Sequence, residues 1–375
     1  MNKIPKKIGL VLTGGGARGA YQAGALSALF EICARNNLEW PFKYLCGTSA
    51  GGINACFIAS RAGNQNMMAL SQELQDLWGG LHSSHVMDVN PMNLTTNGFQ
   101  WVRSLSLGGV KTNKKSLSLL DNAPLKKLLK KYIDFKDVRR AIDGNVFEAL
   151  SLSMVCYSTG ISQTFFMGQE NLPHWRRIKR EGLHSELTHD HIMASSAIPL
   201  IFPSIKIGAN YYGDGSLRDY TPLSPAIKLG ADKLLIMGVR KRDQWGYYDP
   251  NPPTPAKIFS VILNGILLDA LDTDLERLER INRTVSKIPE GMSELRIIEN
   301  RVITPSRLLS TIAEQEIDSL PKTIRFFING LGNAHEASDL ISYILFEAPF
   351  TKRLLELGRE DVFGQESDLL EFLTT

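Results

Sequence analysis

The sequence predicts an α/β fold that is built on a mostly parallel sheet. Apolar segments of strand length, at residues 8–13 and 42–46, are each followed at once by a segment with helical spacing, at 17–34 and 50–62. This alternation of strand and helix is typical of parallel βαβ units. A glycine-rich junction stands where each of the two strands passes into its helix.

Composition places the chain among globular proteins and excludes one class of partner. With 375 residues, of which 43% are hydrophobic and 22% charged, the chain is long enough to bury a sizeable core. Its net charge of +3 is too small to indicate nucleic-acid binding, and no basic stripe rich in aromatic residues accompanies it. We therefore expect no nucleic-acid partner, while weak attraction to anionic surfaces is compatible with this charge.

The first apolar segment and the cysteines bear on localisation. Residues 8–12 are too few for a signal-peptide core or a membrane span, and they run directly into a glycine-rich motif. We expect a cytoplasmic or peripheral membrane protein, with export by a signal-independent route left open. The four cysteines show no Cys-x-x-Cys spacing, which favours buried thiols in a reducing compartment over disulfides or zinc.

Further elements extend the same pattern along the chain. Residues 81–116 are polar and rich in glycine, asparagine and serine, which predicts a surface excursion or lid. The remaining predictions are strands at 150–157, 164–167, 205–212, 233–238 and 294–303, a proline-rich loop at 250–255, one long helix at 258–285, and mainly helices from 306 onward. We expect an α/β domain over residues 1–304 and a helical extension over 305–375 that packs on it.

The second glycine-rich junction has the form of a nucleophile elbow. In Gly47-Thr48-Ser49-Ala50-Gly51, glycines flank a serine in the Gly-x-Ser-x-Gly pattern, between an apolar strand and a helix. Such glycines allow a tight turn that lifts the serine hydroxyl above the sheet. A short match of this kind also arises by chance in a loop of small residues, but the strand before it and the helix after it favour the elbow.

The first junction, Gly14-Gly15-Gly16-Ala17-Arg18-Gly19, fits an oxyanion hole. Glycines lack Cβ atoms, so the backbone N–H groups can converge on an oxygen that becomes negative in a transition state. The same residues also satisfy the Gly-x-Gly-x-x-Gly pattern of dinucleotide-binding folds, with Glu39 about twenty residues further on. However, Glu39 precedes the next strand instead of ending it, and the elbow at the next junction favours a hydrolase.

A nucleophilic serine needs a base, and the histidines give poor candidates. They lie in the polar excursion, in charged segments or in the helical tail: His82, His85, His174, His184, His189, His191 and His335. His189 and His191 could suggest a metal pair, but no third ligand stands at supporting spacing, so we expect no metal. The more informative carboxylate is Asp214, which ends an apolar strand between two glycines, although an Asp-Gly hairpin turn has the same pattern.

Taken together, these residues resemble the patatin-like phospholipases. Four blocks carry the resemblance in order and spacing: the glycine loop at 14–19, the elbow at 47–51, residues 194–199 followed by Phe202-Pro203, and Asp214-Gly215. Segments at 268–270, 281–283 and 340–346 are also similar to bacterial members. Two positions depart from the family's pattern, Thr13 before the glycine loop and Ser216 after Gly215. Neither removes a catalytic atom, though Ser216 could alter the turn that aims Asp214.

The resemblance implies a three-layer α/β/α sandwich with additional C-terminal helices, and it implies roles for single residues. Ser49 would be the nucleophile and Asp214 the general base of a dyad that needs no histidine. The oxyanion hole would be formed by Gly14, Gly15, Gly16 and Arg18, with motif support from Gly47, Gly51 and Gly215. Arg18 would hold the loop in place, although a solvated charge on the first helical turn is the alternative. Ser195 and Ser196 would let the chain pack closely beside the dyad.

The reaction implied by the resemblance is hydrolysis of a carboxylic ester through an acyl-serine intermediate. Family members cleave acyl chains from phospholipids, lysophospholipids or neutral glycerides, so a phospholipid or another acyl lipid is the expected partner, with no cofactor. The same intermediate would serve an acyltransferase or a thioesterase, and a non-catalytic lipid-binding protein is a further alternative. The residues do not indicate whether an activating protein takes part.

A lysine-rich segment at residues 117–133 offers two interpretations. Leucines, Tyr132 and Ile133 alternate there with Lys126, Lys127, Lys130 and Lys131. Such an amphipathic helix could rest on an anionic bilayer as a peripheral membrane contact. Alternatively, the helix packs on the core of the protein and leaves the lysines in water, and we favour this second interpretation.

Overall fold

The computed structural model describes residues 6–64, 66–93, 96, 118–219, 221–242, 252–289, 292–329 and 336–375. In this part of the chain one sheet contains ten strands. They are β1 (Ile8–Leu12), β2 (Phe42–Thr48), β3 (Ala149–Cys156), β4 (Ile161–Gly168), β5 (Trp175–Arg177), β6 (Arg180–His184), β7 (Ile205–Ile207), β8 (Asn210–Asp214), β9 (Lys233–Met237) and β10 (Glu299–Ile303).

The helices of the described residues are numbered in chain order. The first eight are α1 (Gly19–Arg35), α2 (Ala50–Ala59), α3 (Met67–Gly79), α4 (Ser83–Val86), α5 (Ala123–Tyr132), α6 (Phe135–Asp143), α7 (His189–Ser195) and α8 (Ser224–Leu229). They are followed by α9 (Pro255–Leu267), α10 (Asp269–Val285), α11 (Leu309–Gln315), α12 (Lys322–Asn329), α13 (Ser338–Ile344), α14 (Ala348–Phe363) and α15 (Glu366–Thr374). Short 3-10 turns, among them Gly16–Arg18 before α1 and Gly215–Leu217 after β8, complete the regular structure.

The sheet brings the predicted site residues to one edge. Its order is β10-β9-β1-β2-β3-β4-β6-β5, and the neighbours from β10 to β3 are all parallel. Leu12 at the end of β1 therefore lies beside Gly47 near the end of β2. Strand β8 runs antiparallel to β3 and pairs Asp214 with Met154, so that Asp214 joins the same region.

Both faces of the sheet are covered, as expected for a three-layer sandwich. Every residue of β1 is buried, which suits a continuous apolar strand in the middle of a parallel sheet. Leu10 and Leu12 belong to a core cluster that includes α1 and α2, whereas Val11 belongs to a second cluster with residues of α8 and α10. The predicted α/β/α fold with a mostly parallel sheet and C-terminal helices is thus confirmed.

The C-terminal helices share the main core with the N-terminal part of the sheet. Buried residues from Leu309 to Phe372 belong to the same cluster as β1 and α1. Helix α14 crosses α1 so closely that a Cβ atom on Gly24 would lie 2.1 Å from the Leu355 carbonyl oxygen, and one on Gly358 would lie 2.2 Å from the Tyr21 carbonyl oxygen. The helices pack backbone against backbone there, because both positions are glycine.

Several predicted elements differ in detail from the structure. The helix predicted at 258–285 is two helices, since the backbone breaks at Leu268 between α9 and α10. The strand predicted at 205–212 is the hairpin β7–β8, which turns at Gly208 with a φ of 60°. The sequence prediction of a strand at 294–303 is too long, because β10 begins only at Glu299. Strands β5 and β6 were not predicted, since charged residues interrupt their apolar pattern.

Other predictions concern the excursion, the cysteines and the membrane. Of residues 81–116, positions 94, 95 and 97–116 lie outside the described residues, while Leu81, Val86 and Met87 are buried in the core. The beginning of that segment is therefore not a surface excursion. All four cysteines are buried and free. Among the described helices, none combines the length and the apolar character that a membrane crossing requires.

Candidate active site

Ser49 occupies a strained turn between β2 and α2. Its φ of 55° and ψ of −126° lie in a region that L-residues rarely adopt. Such a conformation costs about 1–3 kcal/mol and persists only where the surroundings enforce it. Ser49 is the N-cap of α2 but makes no side-chain capping hydrogen bond, so its hydroxyl is available above the positive end of the helix.

The glycines around Ser49 are required by close backbone contacts. A Cβ atom on Gly47 would lie 2.6 Å from the Gly51 carbonyl oxygen, and one on Gly51 would lie 2.2 Å from the Leu12 carbonyl oxygen. On Gly14, a Cβ atom would lie 3.1 Å from the Ser49 Cβ atom. The first glycine loop therefore touches the nucleophile elbow directly, which the sequence alone could only suggest.

Ser195 fixes the elbow through a buried hydrogen-bonded bridge. The Ser49 backbone N–H donates to Ser195 Oγ at 3.0 Å, and this hydroxyl donates in turn to the Ser153 carbonyl oxygen at 2.7 Å. The block containing Ser195 also reaches the second site residue, because the Asp214 backbone N–H donates to the Ala197 carbonyl oxygen at 2.9 Å. Sequence reasoning assigned this block to close packing and missed its hydrogen bonds.

Asp214 is completely buried next to the serine. Burial raises the pKa of its carboxyl to about 6, although hydrogen-bonding by the Ser49 hydroxyl and by Ser216 lowers the pKa in part. The Ser216 backbone N–H donates to Oδ1 at 2.9 Å, whereas buried Oδ2 has no hydrogen-bond partner of ordinary geometry among the residues that the structure describes. The contact between the Ser49 hydroxyl and Asp214 therefore does not meet ordinary hydrogen-bond geometry, and catalytic contacts in free enzymes are often long or poorly aligned until substrate binds.

The glycine loop presents backbone N–H groups beside the nucleophile. Among the described residues, no hydrogen-bond acceptor is found for the N–H groups of Gly14, Gly15 and Gly16. Gly16 has a φ of 57°, and a Cβ atom there would lie 2.2 Å from the Tyr343 carbonyl oxygen. The loop is thus shaped by a contact with α13, far away in sequence.

Arg18 is buried and holds the loop to α13. Its side chain is 3% exposed. Nε donates to Ser342 Oγ at 2.8 Å, an Nη donates to Asp339 Oδ1 at 3.0 Å, and the guanidinium lies 4.3 Å from the Tyr343 ring centroid. A solvated charge is excluded by this burial. The side chain points into a contact with the C-terminal helix, so any contribution of Arg18 to the oxyanion hole passes through the loop conformation.

A network of buried polar side chains from α1, α2 and α3 stabilises the glycine loop. Gln22 donates from Nε2 to the carbonyl oxygens of Thr13 and Met237, both at 2.9 Å. Asn54 donates to the Gly19 carbonyl oxygen at 3.1 Å and accepts from the Trp78 indole N–H at 2.8 Å. These residues tie the start of the glycine loop to α1, α2 and α3. They were not predicted, because single amides inside apolar helices carry no local signal.

The histidines and metal ligands give no alternative centre in the described residues. No hydrogen bond joins Ser49 to a histidine there, and His335 lies outside them. His191 is an N-terminal cap partner of Thr188, and burial lowers its pKa to about 4. His189 instead bonds the Ile133 carbonyl oxygen. No group of three or more potential metal ligands occurs within the described part.

A small cleft opens beside the glycine loop and the elbow. Its lining comprises Thr13, Gly14, Thr48, Ser216, Asp219, Pro222, Ile266, Leu267, Ala270 and Leu271. Asp219 is buried, and burial together with nearby Asp274 raises its pKa to about 6. Ser49 and Asp214 do not themselves line this cleft, but Gly14 and Thr48 beside Ser49 and Ser216 beside Asp214 do. A larger surface cleft between α3 and α14 is lined by no residue of the glycine loop or the elbow.

The lysine-rich helix α5 packs on the core of the protein. Leu125 and Leu129 are buried, and with Ile53 and Phe57 of α2 they line a narrow apolar cleft. Lys126 pairs with Asp190 at 2.6 Å. The apolar face of α5 is therefore not available to a bilayer, which agrees with the second interpretation of this segment.

Comparison with known proteins adds a family to this geometry. A curated relative, "cGAMP-activated phospholipase" of Pseudomonas aeruginosa (strain BWHPSA011 / Pa011), is 26% identical over 222 residues, which are 59% of this chain and 56% of the relative. The chain thus matches only about half of that relative's length.

Solved structures give more distant likenesses. VipD from Legionella pneumophila is 13% identical with a TM-score of 0.34, covering 94% of this chain and 67% of VipD. The complex of full-length SpcU with full-length ExoU from the type III secretion system of Pseudomonas aeruginosa gives 17% identity and a TM-score of 0.28, with 74% of this chain and 53% of the other covered. Likenesses with such TM-scores carry no weight for function.

The family comparison covers the site itself. Residues 10–227 match the family model described as patatin-like phospholipase. That range is more than half of the chain, and it includes the glycine loop, Ser49 and Asp214. The protein therefore belongs to the patatin-like phospholipase family.

Proposed function

We propose that this protein is a lipid acyl hydrolase that cleaves carboxylic esters of phospholipids or lysophospholipids with Ser49 and Asp214. One observation carries the proposal: a strained serine at a helix start lies beside a fully buried carboxylate with a raised pKa and an unpartnered oxygen. A carboxylate with a pKa near 6 is still ionised at neutral pH, yet it is basic enough to accept a proton.

The reaction follows from these positions. Ser49 Oγ attacks the ester carbonyl carbon while Asp214 accepts the hydroxyl proton. The carbonyl oxygen becomes negative and accepts hydrogen bonds from the N–H groups of the glycine loop, each typically worth ~10²–10³ in rate. Collapse expels the alcohol, which takes the proton from Asp214. Water then attacks the acyl-serine while Asp214 accepts its proton. As the bond between the acyl carbon and Ser49 Oγ breaks, Asp214 returns this proton to Oγ, and the fatty acid leaves.

The apolar cleft along α2 suits an acyl chain. Ile53 follows Ser49 by about one helical turn, and Phe57 follows Ile53 by another. Both side chains line the cleft together with Leu125, Leu129 and further apolar residues. A chain that enters beside the reacting carbonyl would contact only hydrocarbon there.

Fatty-acid release from mixed phospholipid vesicles, measured in the presence of a chelator, tests the proposal. We expect release by the wild type and a loss of at least 10³-fold in Ser49→Ala and Asp214→Asn, in line with the loss of a catalytic residue. Asp274→Asn is the matched control, because burial also raises the pKa of Asp274 to about 6. Asp274 lines neither the cleft beside the glycine loop nor the apolar cleft along α2. Activity that survives Asp214→Asn would contradict the dyad.

Two further arms separate the alternatives. The relative's name states that it is activated by cGAMP, so the assay is run with and without this compound. Products are also analysed with an added alcohol or thiol, since an acyltransferase would transfer the acyl group to the acceptor instead of releasing acid. A fluorophosphonate probe that fails to label Ser49 in every arm would favour a non-catalytic protein.

A further inference from the structure

The outer face of α9 is an exposed apolar helical surface that lies near the candidate site. Ile258, Val261 and Ile262 are 50%, 60% and 49% exposed. Their spacing of three and four residues places them on one face of the helix. Three exposed aliphatic side chains on adjacent turns are unusual for a surface that meets only water.

This surface is continuous with the small cleft beside the glycine loop. Ile258, Ile262 and Ile266 follow each other at intervals of four residues, so they form one row along α9. Ile266 lines the cleft together with Gly14 and Ser216. The row therefore runs from the surface to the place where the glycine loop meets Ser49.

The inner face of α9 fixes the helix in position. Ala256, Ser260, Leu263 and Leu267 are buried against the protein. Asn264 donates to Asp339 Oδ2 at 3.1 Å and accepts from the Tyr343 hydroxyl at 2.9 Å. Because α9 is anchored in this way, its exposed side chains belong to a defined surface.

The low charge of α9 and its continuity with the cleft indicate what binds to this surface. Lys257 is the only charged residue between Pro255 and Leu267, so the surface offers little for recognition of a charged protein. A protein partner seated on the row would also cover the cleft at Ile266. A lipid surface, in contrast, would deliver its own molecules to that cleft.

We propose that the outer face of α9, formed by Ile258, Val261 and Ile262, docks on the surface of a phospholipid bilayer and places the cleft at Ile266 against the lipid. The role that we give to docking, which is to bring lipid to the site, rests on the proposed function. Docking itself needs no catalysis and can be measured without it. The aliphatic side chains would enter the boundary between head groups and acyl chains. Since only one charge lies on the helix, binding should differ little between zwitterionic and anionic vesicles.

The test measures vesicle binding in a Ser49→Ala background, which prevents lipid hydrolysis during the assay. Sedimentation with phosphatidylcholine vesicles, with and without phosphatidylglycerol, compares this parent with the added triple change Ile258→Gln, Val261→Gln and Ile262→Gln. We expect the triple change to lower partitioning at least 100-fold, since each of the three aliphatic side chains contributes about tenfold when it is buried in hydrocarbon. Glutamine retains helix propensity, and circular dichroism verifies folding.

Ile178→Gln is the matched control. Ile178 is 90% exposed on the β5–β6 hairpin, among Arg176, Arg177 and Lys179, and its change should leave partitioning within about twofold, because it does not lie on α9. Equal binding by the triple variant and the parent would overturn the proposal. So would a loss of binding with Ile178→Gln alone, or a dimer that the triple change dissociates without affecting vesicle binding.

A label provides a second, independent readout. All four native cysteines are buried, so a thiol-reactive, polarity-sensitive dye can be directed to Ile262→Cys, with Ile178→Cys as the reference. Vesicles should shift the emission of the dye at position 262 to the blue and leave that at 178 unchanged. The reverse pattern would overturn the proposal. Failure of the proposed function would appear separately, as absence of Ser49-dependent hydrolysis of a dissolved short-chain ester.

Discussion

At the residue scale, Asp214 links burial to chemistry. A free aspartate is too weak a base to accept a serine proton efficiently at neutral pH, and burial without a full set of hydrogen bonds corrects this. The same feature makes the residue costly for the fold, because Oδ2 lies in the interior without a partner. A strained Ser49 and an under-satisfied Asp214 side by side are what a site selected for activity is expected to contain.

The pH dependence of activity follows from this pKa. Asp214 must be ionised to act as a base, so kcat/KM should fall tenfold per pH unit below about pH 6 and level off above pH 7. Initial rates with a dissolved ester between pH 4.5 and 8.5 provide the measurement. Repeating the profile at several temperatures identifies the group, since carboxyl pKa values hardly change on heating whereas those of imidazole fall.

The pH dependence of stability has the opposite sign. With a folded-state pKa of about 6 and an unfolded value of 3.8, Asp214 binds more protons in the folded state between these values. It therefore stabilises the fold at low pH, and this contribution, about 3 kcal/mol, is lost as pH rises from about 4 to 6. Urea unfolding of the wild type and Asp214→Asn should show the variant gaining in relative stability across that range. A constant difference would argue against a raised pKa.

At the element scale, the glycine loop depends on α13. The Arg18–Asp339 pair is largely shielded from water, and both partners also contact other groups, Ser342 and Asn264 respectively. The loop backbone is fitted to the Tyr343 carbonyl oxygen at Gly16. Helix α13 thus helps to determine the conformation of the glycine loop, which stabilises charge in the proposed reaction.

Asp339→Asn should consequently lower kcat while leaving KM nearly unchanged. Loss of the charge loosens Arg18 and with it the loop donors, and we expect about a tenfold decrease, less than the loss of a whole donor. Glu31→Gln is the control, because it removes the charge that pairs with Arg359 between α1 and α14 without touching the loop. A merely structural role would be indicated if kcat per folded molecule were the same in both variants.

The crossing of α1 and α14 gives a prediction about stability. Gly24→Ala would place a methyl group against the Leu355 backbone, which cannot move aside as a flexible side chain can. We expect a loss of about 1–3 kcal/mol in the free energy of unfolding. Gly79→Ala in α3, where the nearest atom to a new Cβ is 3.5 Å away, should be neutral or slightly stabilising. Denaturant titration of the two variants measures the contrast.

The success of sequence reasoning depended on the range of the determining contacts. Ser49 and Asp214 stand in short motifs that are visible in the sequence, although the glycines of these motifs are fitted to other strands, Gly51 to Leu12 and Gly215 to Ser153. The order of strands and helices follows from local periodicity. In contrast, the break at Leu268 and the hairpin at Gly208 replaced single predicted elements, because the flanking residues continue the same apolar pattern. The partners of Arg18 lie more than 300 residues away, and no local pattern announces them.

At the scale of the whole molecule, the C-terminal helices belong to one core with the sheet. The division into an α/β domain over residues 1–304 and a helical extension over 305–375 that packs on it stays a prediction. The shared core argues that the first part would not fold without the second. A chain ending at residue 304 would expose the small-residue face of α1 that meets α14. It would also lose Ser342 and Asp339, to which the Arg18 side chain donates. A typical domain is stable by only about 5–15 kcal/mol, and we expect the free energy lost by exposing this apolar surface to exceed that margin.

We expect the 1–304 chain to show no cooperative unfolding transition and no labelling of Ser49 by a fluorophosphonate. Differential scanning calorimetry and mass spectrometry provide these readouts, with the full chain as reference. A sharp transition in the truncated chain would establish an independent domain.

The contact between Gly16 and the Tyr343 carbonyl oxygen has a consequence for the newborn protein. Tyr343 follows the glycine loop by more than 300 residues. Because ribosomes add about 5–20 residues per second, Tyr343 is synthesised some tens of seconds after the loop. During this time Ser49 is already synthesised, but the groups that would stabilise the oxyanion are not in place. With the proposed function, this order of assembly would keep the site inactive toward lipids until synthesis of the chain is nearly complete.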